Sequence, residues 1–192
     1  MAKGLSAESI TVAAAELIEQ YGRSGFSMRL LADTMGVKTA SLYNHIENMD
    51  TLLTEVCRYA LRMQEDGELR AIAGKTGREA VWALAWAYRR FAQQHRELYW
   101  LVMDTAAGEP RVLDDAAARF TEPLKQVLSG FRLPLREEIH FRRMFRAIVH
   151  GFASQEDEGF FSHYPASTEL SFEFAIQRFI DCVLEAEKRN PS

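Results

Sequence analysis

Six residues in one short stretch carry the most specific chemistry in the chain. Thr39, Ala40, Ser41, Tyr43, Asn44 and His45 are short, polar or aromatic. Such residues make a poor core, but they suit a DNA groove, where hydroxyls and amides bond phosphates and base edges and methyl groups meet thymine. The flanking residues say how they are held. Ser27 is positioned to cap a helix by accepting a hydrogen bond from an orphan backbone N–H. Leu30, Leu31 and Met35 give that helix an apolar face, and Ala32 is small where a second helix must cross closely. Gly36 falls at the turn, where a positive φ is usually required. Val37 and Leu42 then point inward, leaving the six residues outward. The pattern is a helix-turn-helix, whose second helix normally enters the major groove. Arg29 is the one arginine in residues 27–46, and so the one able to give two-pronged readout of guanine there.

The resemblance is closer than the bare pattern. Thr39-Ala-Ser-Leu-Tyr-Asn-His-Ile46, followed by Glu47-Asn-Met-Asp-Thr-Leu-Leu53, resembles the recognition-helix signature of the tetracycline-repressor (TetR) family, with Leu42, Tyr43, His45, Leu52 and Leu53 matching. The rest of the chain matches in length and helical character. The resemblance implies that Thr39, Ala40 and Ser41 face base edges and that Tyr43 and His45 meet phosphate, with Ser27 and Lys38 adding contacts. The family usually has a phosphate-binding lysine where this chain has Met49.

Composition bounds the alternatives. An apolar content of 47% is ample for a buried core. No run approaches the roughly 18 apolar residues of a membrane span, and Met-Ala-Lys-Gly-Leu-Ser lacks the apolar segment of a secretory signal, so a cytoplasmic protein is expected. Cys57 and Cys182 lack CxxC spacing and read as reduced, helix-packed thiols. The net charge is −4, and residues 1–50 hold four cations (Lys3, Arg23, Arg29, Lys38) against six carboxylates. A nonspecific nucleic-acid binder would be basic. This chain must place its few cations locally and use neutral donors and helix N-termini for phosphate.

Apolar periodicity predicts an all-α fold: a helix from Ser6 to Tyr21, with Ile10, Ala13, Ala14, Leu17, Ile18 and Tyr21 inward; the helix-turn-helix; and a longer helix over about Met49–Ala71. Further helices are expected over Arg78–Gln94, Val112–Gly130, Arg136–Asp157 and Thr168–Lys188. A loop is expected at Gly108-Glu-Pro110. The domain reading is a DNA-binding part at 1–50, a connecting helix at 51–73 and a helical body at 74–192, with a break at Gly74-Lys-Thr-Gly77. That Gly-Lys-Thr is no phosphate loop, because Glu68 occupies the position of the first required glycine and no strand precedes it.

Two sites are expected in the body. Trp82, Trp86, Tyr99, Trp100, Met103, Phe120, Phe145 and His150 are candidates to line an effector pocket, since the resemblance implies sensing of a small hydrophobic or aromatic molecule; the same residues read equally as core. In the last two long helices, Ala147, Gly151 and Ser154 are small at helical spacing, beside stripes containing Phe172, Ile176, Phe179 and Val183. These two helices are expected to pair with their twins in a homodimer, which would set two reading heads roughly 34–36 Å apart on DNA. Glu156-Asp-Glu158 reads as a solvated helix end, and Phe160-Phe-Ser-His-Tyr164 as an apolar loop packed on the body or the partner.

No metal is expected, because His140 and His150 are not spaced to share a helical face. No cofactor or enzyme is expected either: nucleophile elbow, HExxH, dinucleotide loop and CxxC are all missing from the sequence. The sequence therefore points to a dimeric, ligand-responsive regulator, a repressor of a palindromic operator. Two alternatives stay open: a regulator without a small-molecule inducer, and a small-molecule binding protein that no longer reads DNA.

Overall fold

The computed structural model describes residues 5–108 and 114–190, with side chains described outside 107–120. Its elements are α1 (Ala7–Gly25), α2 (Met28–Met35), α3 (Thr39–Leu42), α4 (Met49–Ile72), α5 (Gly77–Gln94), α6 (Arg96–Gly108), α7 (Asp114–Leu128), α8 (Leu135–Asp157), a 3-10 turn (Phe160–His163) and α9 (Thr168–Arg189). No strand occurs among the described residues, and the all-α expectation holds. The loop expected at Gly108-Glu-Pro110 lies largely outside the described residues.

The helix starts are fixed by short polar side chains. Ser6 and Ser9 cap α1 reciprocally: Ser9 N donates to Ser6 Oγ at 3.1 Å and Ser6 N to Ser9 Oγ at 3.0 Å, satisfying two of the donors a helix start leaves open. Gly22, at φ 70° and ψ 166°, breaks the helical path, and a further turn reaches Gly25. Tyr21, expected inside, is 50% exposed, and Ala15 is buried in the stripe. Asn48 caps α4, its Oδ1 accepting from Thr51 N at 2.8 Å.

Packing divides the chain into two compact units that do not follow chain order, Met1–Met63 with His95–Phe120 and Gln64–Gln94 with Thr121–Ser192. In the first, α1 packs on α2 and α6, and α2 on α3. Ile10, Ile18, Leu31, Leu42, Leu52 and Val56 are fully buried there. Cys57 is buried as expected, its thiol 3.4 Å from Thr105 Oγ1, and burial pushes that thiol up.

In the second unit α5 packs on α8 and α9, and α8 on α9. Its core is aromatic: Phe172 meets Trp86 and Phe152 edge-on at centroid distances of 5.3 and 5.2 Å, and Phe179 meets Phe145 at 5.4 Å. Within this core lies Arg89, 6% exposed, stacked on Trp86 and Phe172 and paired with Glu156, Arg89 Nε to Glu156 Oε2 at 3.1 Å. Glu156 is therefore half of a buried ion pair, not part of a solvated helix end. A buried guanidinium without a carboxylate would be costly, and pairing with hydrogen bonds is what makes its burial tolerable. Cys182 also departs from expectation, being exposed on α9.

On α4 the buried positions recur every four residues at Leu52, Val56, Ala60, Gln64, Glu68 and Ile72. The polar pair interrupts the apolar stripe. Burial pushes the Glu68 carboxyl from 4.5 to about 8, a hydrogen bond from Gln64 and the Arg146 charge only partly opposing it. The folded chain thus favours the protonated form. That stabilisation is complete below the ordinary range near 4.5 and is lost as pH rises through about 8. Glu68→Gln, which keeps the shape and cannot ionise, is expected to raise the melting temperature at pH 8.5 by several degrees and to change it little at pH 5. An equal difference at both pH values would contradict the assignment.

Candidate nucleic-acid interface

The reading head begins at Ser27, whose side chain accepts from Leu30 N at 3.2 Å and caps α2 as expected. Leu31 and Ala32 are buried, while Leu30 and Met35 are only half-buried. Gly36 follows at φ 67° and ψ 30°. A Cβ there would meet nothing within 4 Å, so it is the left-handed backbone, not lack of space, that calls for glycine. Gly36 N donates to Asp33 O at 3.2 Å and Val37 N to Ala32 O at 3.0 Å, which closes the end of α2.

The second helix is shorter than the signature suggests. Only Thr39–Leu42 is α-helical, and residues 43–45 form turns. Ser41 N donates to Lys38 O at 2.8 Å, His45 N to Leu42 O at 2.9 Å and Ile46 N to Leu42 O at 3.1 Å. This mixture of three- and four-residue bonds tightens the segment toward 3-10 geometry. Two apolar anchors hold it down, Leu42 at 0% and Ile46 at 6% exposure. Between and around them Ala40, Tyr43, Asn44 and His45 are exposed and Thr39 and Ser41 half-buried. The six residues singled out by type thus lie on one contiguous stretch around the anchors.

The cations are sparse but open. Lys38 is exposed at the N-cap of α3, without a side-chain cap of its own. Arg29 lies on α2, its Nε 3.8 Å from Asp33 Oδ2, with the two side chains 89% and 70% exposed. An ion pair so solvated is weak and leaves the guanidinium able to exchange Asp33 for another acceptor. Met49 is half-buried at the start of α4. Asn48, which the sequence reading did not single out, sets that start. The asparagine just ahead of an apolar helical run was the signal. A groove of about 420 Å³ runs between α1, residues 45–47 and the first turns of α4, with His45 and Tyr59 on its walls.

The other candidate residues separate. Trp82, Trp86, Phe145 and His150 belong to the second unit, whereas Tyr99, Trp100 and Met103 belong to the first; the Phe120 side chain lies outside those described. Tyr99 is buried and meets Trp100 edge-on at 5.5 Å. Burial lowers His150, which Arg146 lowers further. Among the proposed pairing residues, Phe172, Ile176, Phe179 and Val183 are each 0% exposed within the single chain. They form the unit's own core and leave no surface for a second copy, a correction to their reading as interface. Ala147 is exposed and Gly151 and Ser154 half-buried. Phe161 turns in against Phe152 at 5.3 Å, while Phe160 and Tyr164 remain exposed.

A capped helix, a left-handed glycine turn and a short anchored helix with a polar outer face define a helix-turn-helix DNA-binding regulator. Residues 10–56 match the bacterial regulatory proteins of the tetR family, and residues 81–179 match the tetracyclin repressor-like C-terminal domain. The chain belongs to the TetR family of transcriptional regulators. It is 28% identical over 183 residues to the HTH-type regulator YobS of Bacillus subtilis, covering 94% of each chain. A Rhodococcus protein of unknown function shares the fold with a TM-score of 0.79 and 20% identity, over 94% of this chain and 96% of that one. A TetR variant from Acinetobacter baumannii, solved in complex with minocycline, shares it with a TM-score of 0.69 and 19% identity, over 98% and 99%. Among the described residues no helix is long and apolar enough to cross a membrane.

Two substitutions test how the head is held. Ser27→Ala is expected to cost about 0.5–2 kcal/mol through the lost cap, and Gly36→Ala about 1–2 kcal/mol through the left-handed backbone. Urea unfolding measures both, and a neutral Gly36→Ala would show that the turn is not constrained as described.

Proposed function

We propose that the chain is a homodimeric, ligand-responsive repressor that binds a palindromic operator through residues 27–46. The observation that carries this reading is the stretch from Thr39 to His45, in which Ala40, Tyr43, Asn44 and His45 are exposed and Thr39 and Ser41 half-buried around the anchor Leu42. A purely structural role leaves that surface without a purpose. Thr39, Ala40 and Ser41 meet base edges, Tyr43, Asn44 and His45 lie along the phosphates with Ser27 and Lys38, and Arg29 reads one guanine.

Dimerisation is supported by the uncovered sides of α8 and α9. Ile139, Met144, Leu170 and Phe174 are large apolar residues exposed by 38%, 40%, 64% and 67%. Ala147 is exposed on α8, and at Gly151 an added Cβ would meet nothing within 4 Å of its own chain. Large apolar side chains exposed on two helices that pack on each other suit cover by a partner, and a second copy supplies it with two-fold symmetry. The candidate effector residues are now Trp82, Trp86, Phe145 and His150 in one unit and Tyr99, Trp100 and Met103 in the other. The complex of one structural neighbour with minocycline supports a small-molecule effector here. Effector binding shifts the population toward a form with wrongly spaced heads, by no more than its differential affinity for the two forms. A second reading, a regulator without a small-molecule inducer, is favoured by Phe145 and Phe172, whose full burial suits plain core.

Selection of genomic fragments on the purified protein is expected to enrich a short inverted repeat, retained less well at higher salt. Failure to enrich any site at low salt would favour a protein that no longer reads DNA. On the enriched site, Arg29→Ala is expected to relax preference at one base pair, whereas Tyr43→Phe weakens all sequences alike; equal losses for both on every sequence would overturn the contact assignment. Phe174→Glu is expected to sediment as a monomer and to lose operator binding. A Phe174→Glu protein that remains dimeric would move the interface elsewhere.

A further inference from the structure

The groove beside the reading head has a chemistry that operator binding does not use. It is formed by the first two turns of α1, residues 45–47 and α4 as far as Arg62, all within the first unit. Its volume of about 420 Å³ is that of a small-molecule site. The deepest of its lining residues are Ile46 and Thr11, 6% and 7% exposed. Val12 and Tyr59 are half-buried walls. Thr11 Oγ1 donates its proton to Ala7 O at 2.9 Å, so toward any occupant it can only accept.

The charges around the groove are unevenly matched. Glu8, Glu47 and Glu55 line it together with Arg62. Glu55 is already taken, its Oε1 accepting from Arg58 Nη1 at 2.6 Å. Glu8 and Glu47 are exposed, and among the described residues neither makes an ion pair or a side-chain hydrogen bond. Arg62 lies about three turns along α4 from Thr51, roughly 16 Å by helix rise, so it does not neutralise Glu47 at the other end. Apolar walls, a buried acceptor and two open carboxylates complement an organic cation and repel an anion.

We propose that this groove binds a small organic amine and that its occupancy raises operator affinity. The Glu8 and Glu47 carboxylates hold the ammonium, with Thr11 as a neutral acceptor. The apolar body of the amine packs on Val12, Ile46 and the Tyr59 ring, whose face also attracts a cation. The link to DNA is positional. His45 is a wall of the groove, Ile46 is an anchor of the reading segment, and Glu47 follows directly. Residues 1–50 set four cations against six carboxylates. Neutralising a carboxylate beside the phosphates removes a repulsion there. That consequence rests on the reading of Tyr43, Asn44 and His45 as lying along the phosphates, whereas the amine site does not.

The test uses 2-phenylethylamine, 2-phenylethanol and 3-phenylpropionate, which share a ring and differ in the charge of the terminal group. Each is titrated calorimetrically into the full-length protein at pH 7. The amine is expected to bind about fivefold more tightly than the alcohol, and the carboxylate least well. Glu47→Gln combined with Glu8→Gln is expected to abolish the preference and leave the alcohol unchanged, while Arg62→Gln strengthens the amine. Circular dichroism checks that the variants are folded, and Arg62→Gln alone decides the sign if the double variant is not. Equal binding of the three probes, a preference that survives the double variant, a weaker amine with Arg62→Gln, or no amine binding at millimolar concentration would each overturn the site. With the amine present, operator affinity is expected to rise roughly threefold at low salt, and not to rise in the double variant. Carboxylate-dependent amine binding that leaves operator affinity unchanged would uphold the site and overturn its link to DNA. The same binding in a protein that retains no DNA would uphold the site and overturn the DNA-binding reading instead.

Discussion

The function depends on a constraint at the second helix of the reading head. A helix of four residues cannot sustain itself, because the cost of its first turn is never recovered by propagation. Thr39–Leu42 exists because Leu42 and Ile46 are sunk into the first unit and because Gly36 reverses the chain at a φ that other residues resist. Everything exposed on that segment is freed from structural duty by those three positions. This explains how a chain with so few cations presents a reading surface. Positioning is done by apolar anchors and caps, and polar side chains are left for the groove.

The second unit solves a different problem. Its α5, α8 and α9 bury aromatic rings against one another and also a guanidinium. The Arg89–Glu156 pair joins α5 to α8 inside that core, where loss of either partner would leave a buried charge unmatched.

Much of this was legible in the sequence. Ser27, Gly36 and Leu42 announce a cap, a left-handed turn and an anchor by residue type alone, and the structure places all three so. Periodicity located the long helices to within a few residues. It identified buried faces but could not say what buries them, and for that reason Phe172, Ile176, Phe179 and Val183 were assigned to a partner when their own chain covers them. The residues left uncovered, Leu170 and Phe174, sit off the regular stripe. Glu156 looked solvated because its partner Arg89 is 67 positions away, a distance that no local pattern reports. Gln64 and Glu68 could have been found by continuing the four-residue spacing of Leu52, Val56 and Ala60, which lands on both.

Hydroxyl-radical footprinting of the purified protein on its selected site would test the central claim most directly. The account predicts two protected patches on one face of the duplex, centred roughly 10 base pairs apart and related by two-fold symmetry, with both patches lost together when the Thr39–His45 surface is altered. A single protected patch, or protection that survives replacement of that surface, would contradict it.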